Sequence, residues 1–290
     1  MKYQWSEVFL SIEGEAKWSG HPTVYIRFTR CNFSCKGFNN PDNIEPASER
    51  ALGFSPQLIN TISEIPEISV GCDSIYSWHK DFQHLWHQGD EHVLAAEVTK
   101  VLPSYGWKSN TGQEVILSLT GGEPTLHAKS IPHLLSTPEF DQIKHVLIET
   151  NCSVPLSETF ITALDDWAQN RNGRITWSNS PKLKASGEPF DKAIKPEIAL
   201  MQRKITPKHC TQYFKFVCCN DDDFQEVQYV MEQYYRAGVP RNVEVYIMPM
   251  ACTEQQQKSV MQDVAMKCLD YGFIYCHRIQ NTVFENAIGK

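Results

Sequence analysis

The chain has 290 residues, 41% of them apolar, enough to bury a full core. A formal charge of −7 and the absence of any long Lys/Arg run argue against electrostatic capture of nucleic acid or an anionic membrane as its primary role. No apolar run is long enough to span a bilayer, Met1-Lys2-Tyr3-Gln4-Trp5 is not a signal sequence, and ten cysteines, several in strand-like runs (Cys218, Cys219, Cys276), suit a reducing, cytoplasmic compartment.

The first strand signal is Val24-Tyr25-Ile26-Arg27-Phe28-Thr29, and Arg30-Cys31-Asn32-Phe33-Ser34-Cys35 follows directly. Two thiols separated by three residues at a strand end look like the first two ligands of an iron–sulfur cluster. In the commonest version a third cysteine follows after two residues, but that slot holds Phe38. The next cysteine is Cys72, with 36 residues between it and Cys35. The stretch 36–71 is rich in Asn, Pro, Ser and Glu, with only 56–65 plausibly helical, and reads as an insertion that opened the loop and kept its last ligand. Three thiolates on a cubane leave one iron for a small chelating cofactor. The same thiols admit two other readings, a zinc site completed by a histidine such as His79, and plain reduced cysteines.

A helix is predicted over 91–102, with Leu94, Val98 and Val101 on one face. Strand and helix signals then alternate: strand 115–119, helix 129–135, strand 145–149, helix 158–168, strand 175–178, strand 213–217, helix 224–236, strand 243–248, helix 254–269 and strand 273–277. The alternation predicts α/β architecture, a single domain over 1–290 built as an open, partial TIM-like barrel of mostly parallel strands, with 36–71 inserted in the cysteine loop. In such a barrel the chemistry belongs at the carboxyl ends of the strands. Cys31, Thr120-Gly121-Gly122-Glu123-Pro124, Glu149-Thr150-Asn151 and Asn179-Ser180-Pro181-Lys182 each follow a predicted strand. Gly121 and Gly122 add little bulk, so a ligand can approach main-chain carbonyls beside a carboxylate able to pair with an ammonium. A Gly-Gly-Glu-Pro turn alone is usually structural.

Together these pieces resemble the radical S-adenosylmethionine superfamily and, within it, the 7-carboxy-7-deazaguanine synthase (QueE-like) family. Ser11-Ile12-Glu13-Gly14-Glu15 resembles that family's substrate-binding Leu-Gln-Gly-Glu turn. Arg27 stands four residues before Cys31, where the family has a carboxylate-binding arginine, and Cys72-Asp73-Ser74 with Tyr76 and Trp78 resembles its Cys-Asp-Thr with trailing aromatics. Ser180-Pro181-Lys182 and the tail from Arg278 to Gly289 resemble its Ser-Pro-Lys and its final strand with a Gly-Asn-containing end.

The resemblance implies a carbon–nitrogen lyase that turns 6-carboxy-5,6,7,8-tetrahydropterin into 7-carboxy-7-deazaguanine with loss of ammonia, through a 5′-deoxyadenosyl radical, in queuosine or related 7-deazapurine biosynthesis. It implies a [4Fe-4S] cluster on Cys31, Cys35 and Cys72, S-adenosyl-L-methionine on its open iron, and Mg²⁺ on Ser74. It places the cofactor on Gly71, Asp73, Gly121, Gly122, Glu123, Glu149, Ser180 and Lys182, and the substrate on Ile12, Glu13, Gly14, Glu15, Arg27, Thr120 and Gln280. It further implies a reductant protein such as flavodoxin, a homodimer, and no direct contact with nucleic acid or membrane. Two departures bear on substrate choice. Glu13 replaces a glutamine, and an ionised carboxylate only accepts hydrogen bonds; Gln280 stands where the family has a histidine. His79, His84, His87 and His92 lack regular metal spacing and read as surface residues, Cys152 as a buried thiol, and Trp78 and Phe82 as packing for the cofactor loop. The rival functions are another radical enzyme, such as a glycyl-radical activase, and a non-catalytic zinc-binding module.

Overall fold

The computed structural model describes residues 1–285 and 287–289. In chain order its elements are β1 (Tyr3–Ile12), β2 (Pro22–Phe28), α1 (Glu49–Leu52), β3 (His87–Gly89), α2 (Glu91–Val101), β4 (Ile116–Gly121), α3 (Ile131–Leu135), β5 (His145–Thr150) and α4 (Glu158–Arg171). There follow β6 (Arg174–Asn179), α5 (Phe190–Ala193), α6 (Pro196–Gln202), β7 (Cys210–Cys218), α7 (Asp221–Ala237), β8 (Glu244–Pro249), α8 (Glu254–Tyr271), β9 (Ile274–Tyr275) and α9 (Ile279–Val283). The strands make one sheet in the order β3-β1-β2-β4-β5-β6-β7-β8-β9. Every neighbouring pair from β2 to β9 is parallel, while β1 runs antiparallel to both β2 and β3. With β3 and β9 at opposite ends of that order, this is the open, partial barrel expected.

Parallel strands covered on both faces read as continuous apolar runs. Ile26 and Phe28, Leu117 and Leu119, Val146 and Ile148, Ile175 and Trp177, and Phe214 and Phe216 are all buried to about 1% or less and form the central core. Helix starts just beyond the strand ends are fixed by reciprocal capping, Asn220 with Asp223 for α7 and Thr253 with Gln256 for α8. No described helix is long and apolar enough to cross a membrane.

Three expectations change. The strand expected first is the second: β1 precedes it, its apolar pattern broken by Gln4, Ser6 and Glu7, the last two buried all the same. The segment 56–65 is not a helix but two short 3₁₀ turns, Pro56–Leu58 and Ile62–Glu64; the helix of the insertion is α1, capped by Ser48 and ended by left-handed Gly53. The tail after Arg278 forms α9 instead of a strand, β9 having stopped at Tyr275; of the tail's two asparagines, Asn281 lies in α9 and Asn286 lies outside the described residues. The insertion carries a core of its own, in which Leu52, Ile65 and Ile68 pack with Ile75, Tyr76, Phe82 and Leu85.

Candidate active site

Arg30, at φ 72°, turns the chain out of β2 and into the cysteine loop. Glu188 holds that loop: its Oε1 accepts the N–H groups of Ser34 and Cys35, both at 2.7 Å. Gly37 donates to the Ser186 carbonyl at 2.9 Å, and a Cβ there would come within 2.5 Å of the Ala185 carbonyl oxygen, so only glycine allows this approach. The insertion begins and ends at one point, since Gly71 N–H donates to the Phe38 carbonyl at 2.7 Å. Cys72 therefore returns beside the slot that Phe38 occupies. Cys31, Cys35, Phe38 and Cys72 line one cavity of about 290 Å³ at the carboxyl ends of the strands.

Burial pushes the Cys31 thiol up to about 12, with the Glu123 carboxylate and Cys72 adding to it. Cys35 and Cys72 are raised by burial as well; Cys35 also feels the other two sulfurs, and the Lys182 ammonium opposes the rise at all three. Metal ligation needs thiolates, so loading this site would release protons. Among the described residues no group of three or more His, Cys, Asp or Glu side chains is arranged to hold a metal ion. His79 turns to Asp81, its Nδ1 3.6 Å from Oδ2, and does not line the cavity.

The Gly121-Gly122 turn is shaped first by its protein neighbours. A Cβ on Gly121 (φ 141°) would sit 2.1 Å from the Phe28 carbonyl oxygen, and one on Gly122 would sit 2.2 Å from that of Arg30 and 3.0 Å from Cys31 Cβ. Glu123 N–H donates to the Arg30 carbonyl at 2.8 Å. The turn thus clamps the cysteine loop while its own backbone lines the cavity. Glu123 does not line it. Its side chain is fully buried, with Oε1 accepting from Thr125 and from Thr150 Oγ1 (2.7 Å) and Oε2 accepting the Asn151 N–H (2.7 Å). Its carboxylate is a brace between the ends of β4 and β5.

Charges organise the rest of the cavity. Glu7 Oε1 lies 2.5 Å from Arg27 Nε and accepts the Tyr76 hydroxyl at 2.7 Å, while Arg27 Nη1 donates to Ser74 Oγ at 3.3 Å. Lys215, from β7, pairs with Glu15 and lies 3.9 Å from Glu149. Arg278 bridges Glu15 (3.1 Å) and Asp73 (2.8 Å), and Gln280 Nε2 donates to Glu15 at 2.7 Å. Burial alone would raise Glu15, but Lys215 and Arg278 overcome it and hold the carboxyl down to about 2; Arg278 likewise holds Asp73 below its ordinary value against burial.

The chain is 25% identical over 286 residues to a 7-carboxy-7-deazaguanine synthase from Pyrobaculum aerophilum, covering 98% of this chain and 96% of that one. It is 26% identical over 260 residues to a protein of the same name from Methanopyrus kandleri, covering 88% and 84%. The chain resembles the 7-carboxy-7-deazaguanine synthase family. Its fold matches the crystal structure of QueE from Escherichia coli, with a TM-score of 0.54 at 14% identity over 96% of this chain and 95% of that one. No family model matches the chain.

The cavity gathers every residue expected of the site except Glu123: Ile12, Glu13, Gly14, Glu15, Arg27, Cys31, Cys35, Gly71, Cys72, Asp73, Ser74, Thr120, Gly121, Gly122, Glu149, Ser180, Lys182 and Gln280. Trp78 lines it too, whereas Phe82 packs in the core of the insertion. Sequence reasoning gave no role to Glu7, Lys215, Arg278 or Glu188. A signal existed for Lys215, a lone ammonium between Phe214 and Phe216 in a strand predicted to be buried, and for Glu7 between Trp5 and Phe9. Glu188 had none, because its partners are backbone N–H groups far away in the chain.

Proposed function

We propose that the chain is one catalytic domain, with 36–71 inserted, that converts 6-carboxy-5,6,7,8-tetrahydropterin into 7-carboxy-7-deazaguanine with loss of ammonia, in making queuosine or related 7-deazapurines. The observation that carries this reading is the meeting of Cys31, Cys35 and Cys72 in the same cavity as Arg27 and the Glu13-Gly14-Glu15 turn. Three cysteine thiols lining one cavity match the ligand set of a cubane cluster with one iron left open. Held by these cysteines, a [4Fe-4S] cluster with S-adenosylmethionine supplies hydrogen abstraction by a carbon-centred radical.

The chain's own residues bind, orient and screen. Arg27 is aimed by Glu7 and presents a planar fork suited to a substrate carboxylate. Lys182, whose Nζ lies 3.4 Å from Ser180 Oγ, offers a cation for the cofactor carboxylate, and Glu149 acceptors for its ribose hydroxyls. Gly121 and Gly122 let backbone approach the cofactor's amino group, while Glu123 fixes that turn. Ser74 and Asp73 are hard oxygen donors for Mg²⁺, but Arg27 and Arg278 already engage them, so the ion would enter together with substrate oxygens. An external one-electron donor such as flavodoxin and a homodimeric assembly complete the proposal.

Anaerobic incubation of reconstituted protein with S-adenosylmethionine, a reductant and the carboxylated pterin should yield the deazaguanine; cofactor cleavage without pterin consumption would defeat the reading. Arg27→Ala should keep its cluster and its cofactor cleavage yet lose pterin turnover by about 100-fold or more, as expected when a charge-assisted pair is removed. Unchanged turnover would remove Arg27 from the site.

A further inference from the structure

Glu13 is the one acid of the cavity wall whose surroundings are wrong for a negative charge. Its side chain is nearly fully buried, 4% exposed, and among the described residues no cation lies within ion-pair distance of it. Its hydrogen-bond donors are neutral: Glu15 N–H to Oε1 at 3.2 Å and the Tyr25 hydroxyl to Oε2 at 3.0 Å. The titratable groups that bear on it come from several elements. Tyr25 comes from β2, Glu149 from β5, Lys215 and Tyr213 from β7, Cys276 from beyond β9, and Glu15 from the same turn. Lys215 brings a favourable positive charge, but it is paired with Glu15 and close to Glu149, and both of those carboxylates repel a charge on Glu13. Three acids share one lysine, with Arg278 helping only Glu15 among them. Burial, then Glu149, hold the Glu13 proton on well above the usual carboxylate range.

We infer that Glu13 meets the ligand as a neutral carboxylic acid, presenting one O–H donor and one carbonyl acceptor side by side. The inventory leaves room for both: as an acid it retains a spare carbonyl lone pair and a proton after accepting from Tyr25 and Glu15. Its complement is a ring edge with an N–H beside a carbonyl or imine acceptor, a lactam or amidine edge. Glu13 thus offers the same donor–acceptor pair as a glutamine side chain, and is a specificity-determining residue because an ionised form would only accept. The choice of ring edge rests on the pterin reading above; the protonation state does not.

Infrared difference spectroscopy of the ligand-free protein, wild type minus Glu13→Gln at neutral pH, reads that state. A protonated-carboxyl C=O stretch missing from the variant is expected; carboxylate bands alone would overturn the inference. The pH profile of pterin KM gives the second readout. In wild type, KM should rise about tenfold as pH rises through the Glu13 ionisation, the loss of one buried donor and the burial of a charge facing an acceptor. Glu13→Gln should show no such rise, and Glu13→Ala a high KM at every pH. A Glu13→Gln profile that climbs like wild type would overturn the inference. If wild type consumed no pterin at all, the functional reading would fail while the infrared band still decided Glu13.

Discussion

Lys215 stands between Phe214 and Phe216 with its side chain 7% exposed, a charge that would be costly without Glu15 beside it. Lys215→Met leaves Glu15 to Arg278 and strips Glu149 of its nearby ammonium, and should lower the unfolding free energy by about 3–5 kcal/mol, measured by urea titration. Adding Glu15→Gln removes the stranded charge and should recover part of that loss; a Lys215→Met effect below about 1 kcal/mol would mean the pair is not integral to the fold. The pH dependence has a definite sign. Glu15 titrates at about 2 in the folded chain against an ordinary 4.5, so its stabilising share is complete above 4.5 and is lost as pH falls from there through about 2. Lys215→Met should flatten this acid limb. Glu13 has the opposite sign: its raised folded value means that its share is complete below 4.5 and is lost as pH climbs towards that value, which makes neutral pH the better place to detect a stabilising Glu13→Gln.

At the level of elements, the neck of the insertion decides where the third thiol lies. Gly71 sits at φ 74°, and a Cβ there would meet Pro46 Cβ at 2.8 Å. Gly71→Ala should therefore cost about 1–3 kcal/mol and displace Cys72, so that iron bound per chain after reconstitution falls while β2 keeps its place. Full iron content in Gly71→Ala would show that the neck tolerates movement. The βα alternation from β4 to β8 was legible because those strands are apolar on both faces and their helices are amphipathic. β1 was not, because Glu7 is buried through Arg27 on another strand and the Tyr76 hydroxyl, partners far from it in the chain. The turns within 56–65 misread as a helix since spacing of apolar residues carries no information about Pro56 and Pro66 at either end. The cysteine loop, the glycine turn and the Ser180-Pro181-Lys182 segment could be placed from sequence because each directly follows a strand. The inward brace of Glu123 could not, because it depends on Thr150 and Asn151 from the neighbouring strand's end.

Across the whole molecule, the sheet order brings together residues from both ends of the chain. Glu15 follows β1 and Arg278 follows β9, yet they lie 3.1 Å apart and close the cavity over the cysteine loop. Ile279 N–H also donates to the Gly14 carbonyl at 3.0 Å, tying the last helix to the first turn. In this architecture the barrel stays open while charge pairs join elements across its cavity wall, and 36–71 adds a wall with a small core instead of a separate site. Three sulfurs, two from one loop and one carried back by 36–71, are proposed to bind jointly a cluster with an open iron. Anaerobic reconstitution followed by iron and sulfide analysis, with electron paramagnetic resonance of the reduced protein with and without S-adenosylmethionine, tests this most directly. Wild type should give a reducible cluster whose spectrum changes on adding the cofactor, and Cys72→Ala should fail to assemble it as completely as Cys31→Ala. A full cluster in Cys72→Ala, or a wild-type spectrum indifferent to the cofactor, would contradict the account.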